Sequence, residues 1–447
     1  MNRTEAFLQQ IDELAQRPIP EAVLARARQS LLDYLAVTLA GARFQREKVA
    51  AYLAAAQPEE GAYTAIGTGK KLVMMEAVFL NGLNGHALDF DDGTNAGIIH
   101  LGSPIFALLL PLAQKYGRTV DEVLRAAVIG YETSFTMAVS IQPGHKALGF
   151  HATGTCGTLG AAVAASYLLG FSAEERFQAF AAACVAAGGM LKVLDDGSEL
   201  KPYNVAKTAL LSLTALRLAK SGFRGAPDPL GGSRGFFRMM TGQPDVELKP
   251  LLLNGTYAIM KTYTKPYASC RYTHPAVEAV IRLRETCGLR AEDVERIRIR
   301  TYSLAVSGHD HTEIPGSYSA KMSIPYAVAA GLIWGRAGLQ EFSEEAVRGE
   351  TVLALTRRVQ VEADEALSAA FPGIQAAIVE VKTFDGRTLT QRVDYPKGEP
   401  ENPLSEAEFR SRFDQLTAYA GKSAADAEAL YGFVQTGGSV SGMPGIE

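Results

Sequence analysis

Residues Gly154–Ser166 read GTCGTLGAAVAAS, thirteen residues of which only Leu159 and Val163 are larger than threonine or cysteine. A run so poor in bulk suits a helix whose backbone lies close against its neighbours, and the core of a helical domain is its expected place. The same reading extends outward in both directions. Upstream, Glu21–Leu39 (EAVLARARQSLLDYLAVTL) carries apolar residues three and four apart behind Pro20, which suits a helix start. Further helical periodicity covers Glu76–Leu88, Pro104–Tyr116, Val120–Val139, Ala173–Ala187, Val205–Ser221 and Gly235–Met240.

The pattern changes near residue 243. Val294–Tyr302 (VERIRIRTY) alternates apolar and charged residues as a half-buried strand does. Residues Ala377–Val393 form two alternating runs around Asp385–Gly386, a two-residue hairpin signal. Helical stretches Pro275–Thr286 and Ile324–Gly335 lie between them. After the proline-rich segment Tyr395–Pro403, Ser405 and Glu408 have capping-box spacing and open a last helix through Tyr419. The expected architecture is mainly α: a large all-helical domain over 1–243 and 400–447, and a smaller α+β lid domain over 244–399.

Composition excludes several classes. The 447 residues are 47% apolar, and 44 basic against 48 acidic residues leave a net charge of −4, which argues against a disordered chain and gives no basic footprint for nucleic acid. The apolar runs around Ile105–Ala113 and Ala161–Gly170 fall short of the ~20 residues that span a bilayer. The N-terminus lacks the apolar core of a signal peptide, and the four cysteines form no CxxC pair. A cytoplasmic protein with no membrane or nucleic-acid partner is the expectation. Gly67–Lys70 (GTGK) lacks the upstream glycine and the following Ser or Thr of a phosphate loop, and Gly231–Gly235 (GGSRG) has no strand ahead of its serine.

Four stretches carry chemistry. His86–Pro104 (HALDFDDGTNAGIIHLGSP) gathers Asp89, Asp91 and Asp92 with His86 and His100; like charges so close need a cation, a proton or hydrogen bonds. Its spacing matches no recognised metal site. His151, in GFHATGTCG, stands just ahead of a helix, where the positive end of the dipole favours a neutral imidazole. Lys201 precedes Pro202 at a turn into a helix that also bears Lys207. Lys265–Pro275 packs Lys265, Cys270, Arg271 and His274 into eleven residues. Cations converging with histidines suit a multiply anionic small molecule, with Arg supplying bidentate and Lys compact charge. Such a set suffices to move a proton α to a carboxylate. Metal-dependent hydrolysis at Asp89, Asp92 and His100, and a dimeric binding protein without chemistry, are the competing classes.

In order along residues 5 to about 420, NGLNGHALDFDD, GFHATGTCGTLGAA, GSELKP, KPYASCRYTHPAVEA and AKMSIPYAVAAGL resemble the MmgE/PrpD family. The resemblance implies a homodimer of helical domains with α+β lids, working without metal or organic cofactor. It implies a lyase, dehydratase or decarboxylase, acting on a small di- or tricarboxylic acid, with an epimerase or isomerase using the same carbanion as the alternative. The implied catalytic residues are His151, His100, Asp89, Lys201 and Tyr326. The implied substrate-binding residues are Lys265, Arg271, His274, Cys270, Thr94 and Lys207. The chain departs from the family pattern where Gly93 separates DFDD from Thr94, where His100 is followed by Leu101-Gly102-Ser103, at Tyr203-Asn204, and at Cys270, where the decarboxylase has a lid histidine. These departures bear on the substrate more than on the scaffold.

Overall fold

A computed structural model describes residues 1–194, 198–243 and 245–447. Gly197, which opens the GSELKP stretch, and Pro244, at the expected start of the lid, lie outside the described residues. The chain forms two compact units: Met1–Val193, Leu200–Thr262 and Glu406–Glu447 make the first, Leu194–Glu199 and Tyr263–Ser405 the second. The fold is mainly α with a smaller α+β part, as the sequence indicates.

In the first unit, helix Ala152–Leu168 is buried along nearly its whole length and packs against Val120–Ile141, Lys201–Lys220 and Gly102–Tyr116. Its small residues set that distance. A β-carbon added at Gly160 would stand 1.8 Å from Ser134 Oγ and 2.6 Å from the Gly130 carbonyl, so no larger residue fits there. Capping boxes at Thr119/Glu122 and Ser172/Glu175 start two of the helices by satisfying amides that lack intrahelical partners. Helix Met74–His86 stops two residues earlier than its periodicity predicts, and Asp89 then adopts a left-handed φ of 50°. A short antiparallel pair, β1 (Glu60–Ala65) and β2 (Lys70–Leu72), was not legible in the pattern; the GTGK stretch is its turn. Among the described residues no helix is long and apolar enough to cross a membrane.

The second unit holds a four-stranded sheet in the order β4–β3–β5–β6, where β3 is Val294–Thr301, β4 Val359–Ala363, β5 Ala377–Thr383 and β6 Thr388–Val393. β3 runs antiparallel to β5 and parallel to β4, and β5–β6 is the hairpin expected at Asp385–Gly386, with Gly386 at φ 89°. Val294, Ile297, Ile299 and Thr301 of β3 are buried, and helices His274–Cys287 and Ile324–Trp334 pack on this sheet.

Candidate active site

Four helix ends meet in the first unit. His86 closes Met74–His86, His151 is the N-cap of Ala152–Leu168, His100 lies two residues before Gly102–Tyr116, and Lys201 begins Lys201–Lys220. The His86 ring centroid is 4.6 Å from that of His100 and 6.4 Å from that of His151. Three of the four ends are N-termini, whose unpaired amides and dipoles favour anions.

The aspartates stay close together because each is tethered separately. Lys201 Nζ lies 2.6 Å from Asp89 Oδ1, inside a nearly solvent-free surround. Asp91 accepts from His86 Nδ1 at 2.8 Å and from the Ser103 hydroxyl at 2.7 Å. Asp92 accepts from the Tyr131 hydroxyl at 2.6 Å and from the Gly102 amide at 2.9 Å. Burial pushes the Asp92 carboxyl up to about 6 in spite of those two donors.

Hydrogen bonds fix the imidazole tautomers. His100 Nδ1 lies 2.8 Å from the Asp92 carbonyl oxygen, which only accepts, so Nδ1 carries a hydrogen and Nε2 is the basic nitrogen of the neutral ring. That Nε2 stands 3.7 Å from Asp89 Oδ1, where a carboxylate stabilises the imidazolium. His151 has the opposite arrangement: the Asn204 amide donates to its Nδ1 at 3.3 Å, which puts the hydrogen on Nε2. His151 is held well below the usual histidine range by burial first, then by Lys201 and the neighbouring imidazoles, with Asp89 opposing. The two rings therefore differ at Nε2: a neutral His100 presents an acceptor there, and His151 a hydrogen-bond donor. Thr94 is buried and its hydroxyl accepts from the Gly97 amide at 3.3 Å. Lys207 donates to the Gly188 carbonyl at 2.6 Å, and burial lowers its pKa.

His86, Asp89, Asp91 and His100 also offer four ligand atoms within 4.8 Å of one another, a set of the composition a divalent cation takes. Their present partners are protein groups: Lys201 on Asp89, Ser103 and His86 on Asp91, the Asp92 carbonyl on His100.

The remaining expected residues belong to the second unit. Lys265 is 1% exposed. Arg271 is buried and its Nε is paired with Glu399, with the guanidinium 5.9 Å from the Tyr263 ring centre. His274 Nε2 lies 3.2 Å from the Ser269 carbonyl oxygen, and its ring packs edge-on to Tyr267. Tyr326, expected among the catalytic residues, is fully buried against Phe342, and its hydroxyl donates to the Glu341 carbonyl at 2.7 Å. Cys270 Sγ lies 3.6 Å from His309 Nε2, whose Nδ1 in turn faces the Ser307 carbonyl oxygen at 2.9 Å.

Sequence reasoning placed His86 in the acidic cluster without a role of its own, noted Asn204 only as a departure from the family pattern, and gave nothing for Tyr131 or His309. His86 had a signal in its five-residue spacing from Asp91. Tyr131 had an indirect one: a β-carbon at Gly102 would come within 2.5 Å of its hydroxyl, so a glycine two residues after His100 marks a tyrosine pressed against that turn.

The family model of the MmgE/PrpD N-terminal domain matches residues 5–249, and that of the MmgE/PrpD C-terminal domain matches residues 267–431. The chain belongs to the MmgE/PrpD family. It is similar to a cis-aconitate decarboxylase-like protein, oryM, of Aspergillus oryzae, 28% identical over 96% of this chain and 92% of that protein. It is likewise 28% identical to the cis-aconitate decarboxylase of Aspergillus terreus over 87% of this chain and 84% of that protein. The mouse cis-aconitate decarboxylase is 25% identical over 92% of this chain and 86% of its own.

Proposed function

We propose that this protein is a lyase, a dehydratase or decarboxylase, that acts on a small di- or tricarboxylic acid by moving a proton α to a carboxylate without a cofactor. The observation that carries the reading is the buried triangle of Asp89, Lys201 and His100 at the mouths of three helices. In the elimination direction His100 Nε2 takes the α-proton, the C–H electron pair becomes the new double bond, and the β-hydroxyl leaves as water with a proton from the Lys201 side. In decarboxylation the C–C electron pair left by departing CO₂ is protonated by the same groups. Asp89 stabilises the His100 imidazolium, and the helix N-termini with Lys201 stabilise the doubly charged intermediate. His151, with its hydrogen on Nε2, donates to a substrate oxygen. Lys265 and Arg271 serve carboxylates, with Arg271 also held by Glu399.

Similarity to cis-aconitate decarboxylases within the family supports the lyase class, and the set of cations supports a polycarboxylate substrate. A homodimer and a cytoplasmic location are further parts of the proposal. A second reading, epimerisation, is favoured by one observation: the His100 imidazole as acceptor and the Lys201 ammonium as donor in one site allow a proton to be removed and another returned.

Proton NMR in D₂O with citrate, 2-methylcitrate, cis-aconitate and related acids tests the reading. An alkene signal appearing, or a carboxyl carbon lost, is expected. Exchange at an α-carbon with no elimination moves the assignment to the epimerase, and silence across the panel refutes the lyase. EDTA dialysis followed by metal analysis is expected to leave turnover unchanged. A loss restored by a divalent ion would transfer the His86–Asp89–Asp91–His100 set to a metal reading.

A further inference from the structure

Although the C-terminal family model runs to residue 431, residues 406–447 group with the first unit. The helix Glu406–Tyr419 in this segment sends one charged side chain into the buried interior, Arg412, which is 7% exposed. Its Nη1 donates to Asp33 of helix Glu21–Phe44, and its Nη2 donates to the Phe90 carbonyl at 2.8 Å. The guanidinium also lies 4.2 Å from the centre of the Phe90 ring. Phe90 follows Asp89 directly, and Asp89 is in the left-handed region, where a residue with a β-carbon is held only if its surroundings enforce it. Asp91 and Asp92 are tethered on the far side of Phe90 by His86, Ser103, Tyr131 and Gly102. On the near side the Asp89 amide bonds to the His86 carbonyl at 3.2 Å, and Arg412 holds both the carbonyl and the ring of the residue next to Asp89.

The structure assigns Arg412 as a positioning residue: with Asp33 as its anchor, it holds the Asp89–Phe90 turn so that the Asp89 carboxylate stays set against Lys201 and His100. The assignment rests on the reading of Asp89 as the partner of the proton-moving histidine. It makes the segment that follows the second unit in sequence a structural part of the first unit's chemistry. Arg412 touches no substrate in this account; it acts through the backbone of one turn. Lysine at this position keeps the charge but has no planar fork to serve Asp33 and the carbonyl together.

The test uses the full-length protein with Arg412→Ala, Arg412→Lys and Asp33→Asn, and Arg410→Ala as a control at a half-buried arginine of the same helix that pairs with Asp414 and Glu428 instead of Phe90. Turnover on the acid that the wild type converts is compared with hydrogen–deuterium exchange of peptides spanning residues 86–101. Displacing a catalytic group by ~1 Å costs on the order of 10²-fold, so Arg412→Ala is expected to lower kcat about that far with KM unchanged, and to lower the melting temperature as loss of one half of a buried ion pair does. Arg412→Lys and Asp33→Asn are expected to fall between it and the wild type, with faster exchange over 86–101 in all three and no change in Arg410→Ala. If Arg412→Ala does not fold, the other two variants decide. Wild-type kcat and wild-type exchange in Arg412→Lys and Asp33→Asn would overturn the assignment. Failure of the functional reading is distinguishable: Asp89→Asn would keep full turnover, or the wild type would turn over nothing. Exchange over 86–101 then decides the positioning role alone, faster in the variants upholding it and unchanged overturning it.

Discussion

The two units treat their buried charges differently. In the first, Asp89 pairs with Lys201 and faces His100 Nε2, while the Asp92 carbonyl and the Asn204 amide hold His100 and His151 at their Nδ1 atoms. In the second, Arg271 is bound to Glu399, His274 faces the Ser269 carbonyl, and Tyr326 is bonded to the Glu341 carbonyl. A carboxylate shared between an ammonium and a basic imidazole nitrogen can help move a proton and stabilise a changing charge; a guanidinium closed on one carboxylate holds a shape. In the proposed function the first unit carries the chemistry, and Lys265 of the second serves a carboxylate.

The largest expected effect breaks the comparison from the first side. His100→Gln removes the acceptor nitrogen and Lys201→Met removes the ammonium beside Asp89, and each is expected to lower turnover by about 10²–10⁴-fold, the usual contribution of an acid–base partner. Circular dichroism and a thermal melt establish that the variants are folded. Near-normal rates in both would show that the cluster is structural.

Arg271→Met probes the second side. Removing one member of a buried pair leaves Glu399 uncompensated, an effect of roughly 3–5 kcal/mol on stability. Chemical denaturation is expected to show that loss as the main consequence. A variant of wild-type stability with a raised KM would instead make Arg271 a substrate-binding group.

The smallest effect concerns pH. The Asp92 carboxyl titrates near 6 when folded, against an ordinary value of 3.8. The folded state therefore binds the proton more tightly, and Asp92 lowers stability as pH rises from about 4 to 6, by up to about 3 kcal/mol. Asp92→Asn cannot ionise, so its stability is expected to stay flatter across that window when melting temperatures are measured from pH 4 to 7. Parallel curves for the two proteins would mean that Tyr131 and Gly102 keep Asp92 charged.

Much of this was legible in the chain. Helix His274–Cys287 and the hairpin at Asp385–Gly386 follow from periodicity and turn chemistry, which operate within a few residues. The gathering of His86, Asp89, Asp91 and His100 was visible because fifteen residues hold all four. β1 and β2 escaped notice because strands so short show little alternation. The packing of Tyr326 against Phe342 was not legible, because the two are sixteen positions apart and meet only through the fold.

By itself the sequence determined the helical character of the first unit, the α+β character of the second, and the residue types available for chemistry, because propensity, periodicity and capping are local. Only the tertiary structure decided which of those charges meet. Lys201 reaches Asp89 across 112 positions of chain and Arg412 reaches Phe90 across 322, contacts that no local pattern specifies. The tautomers of His100 and His151 were decided there too, since each depends on a single carbonyl or amide that the packed helices bring alongside.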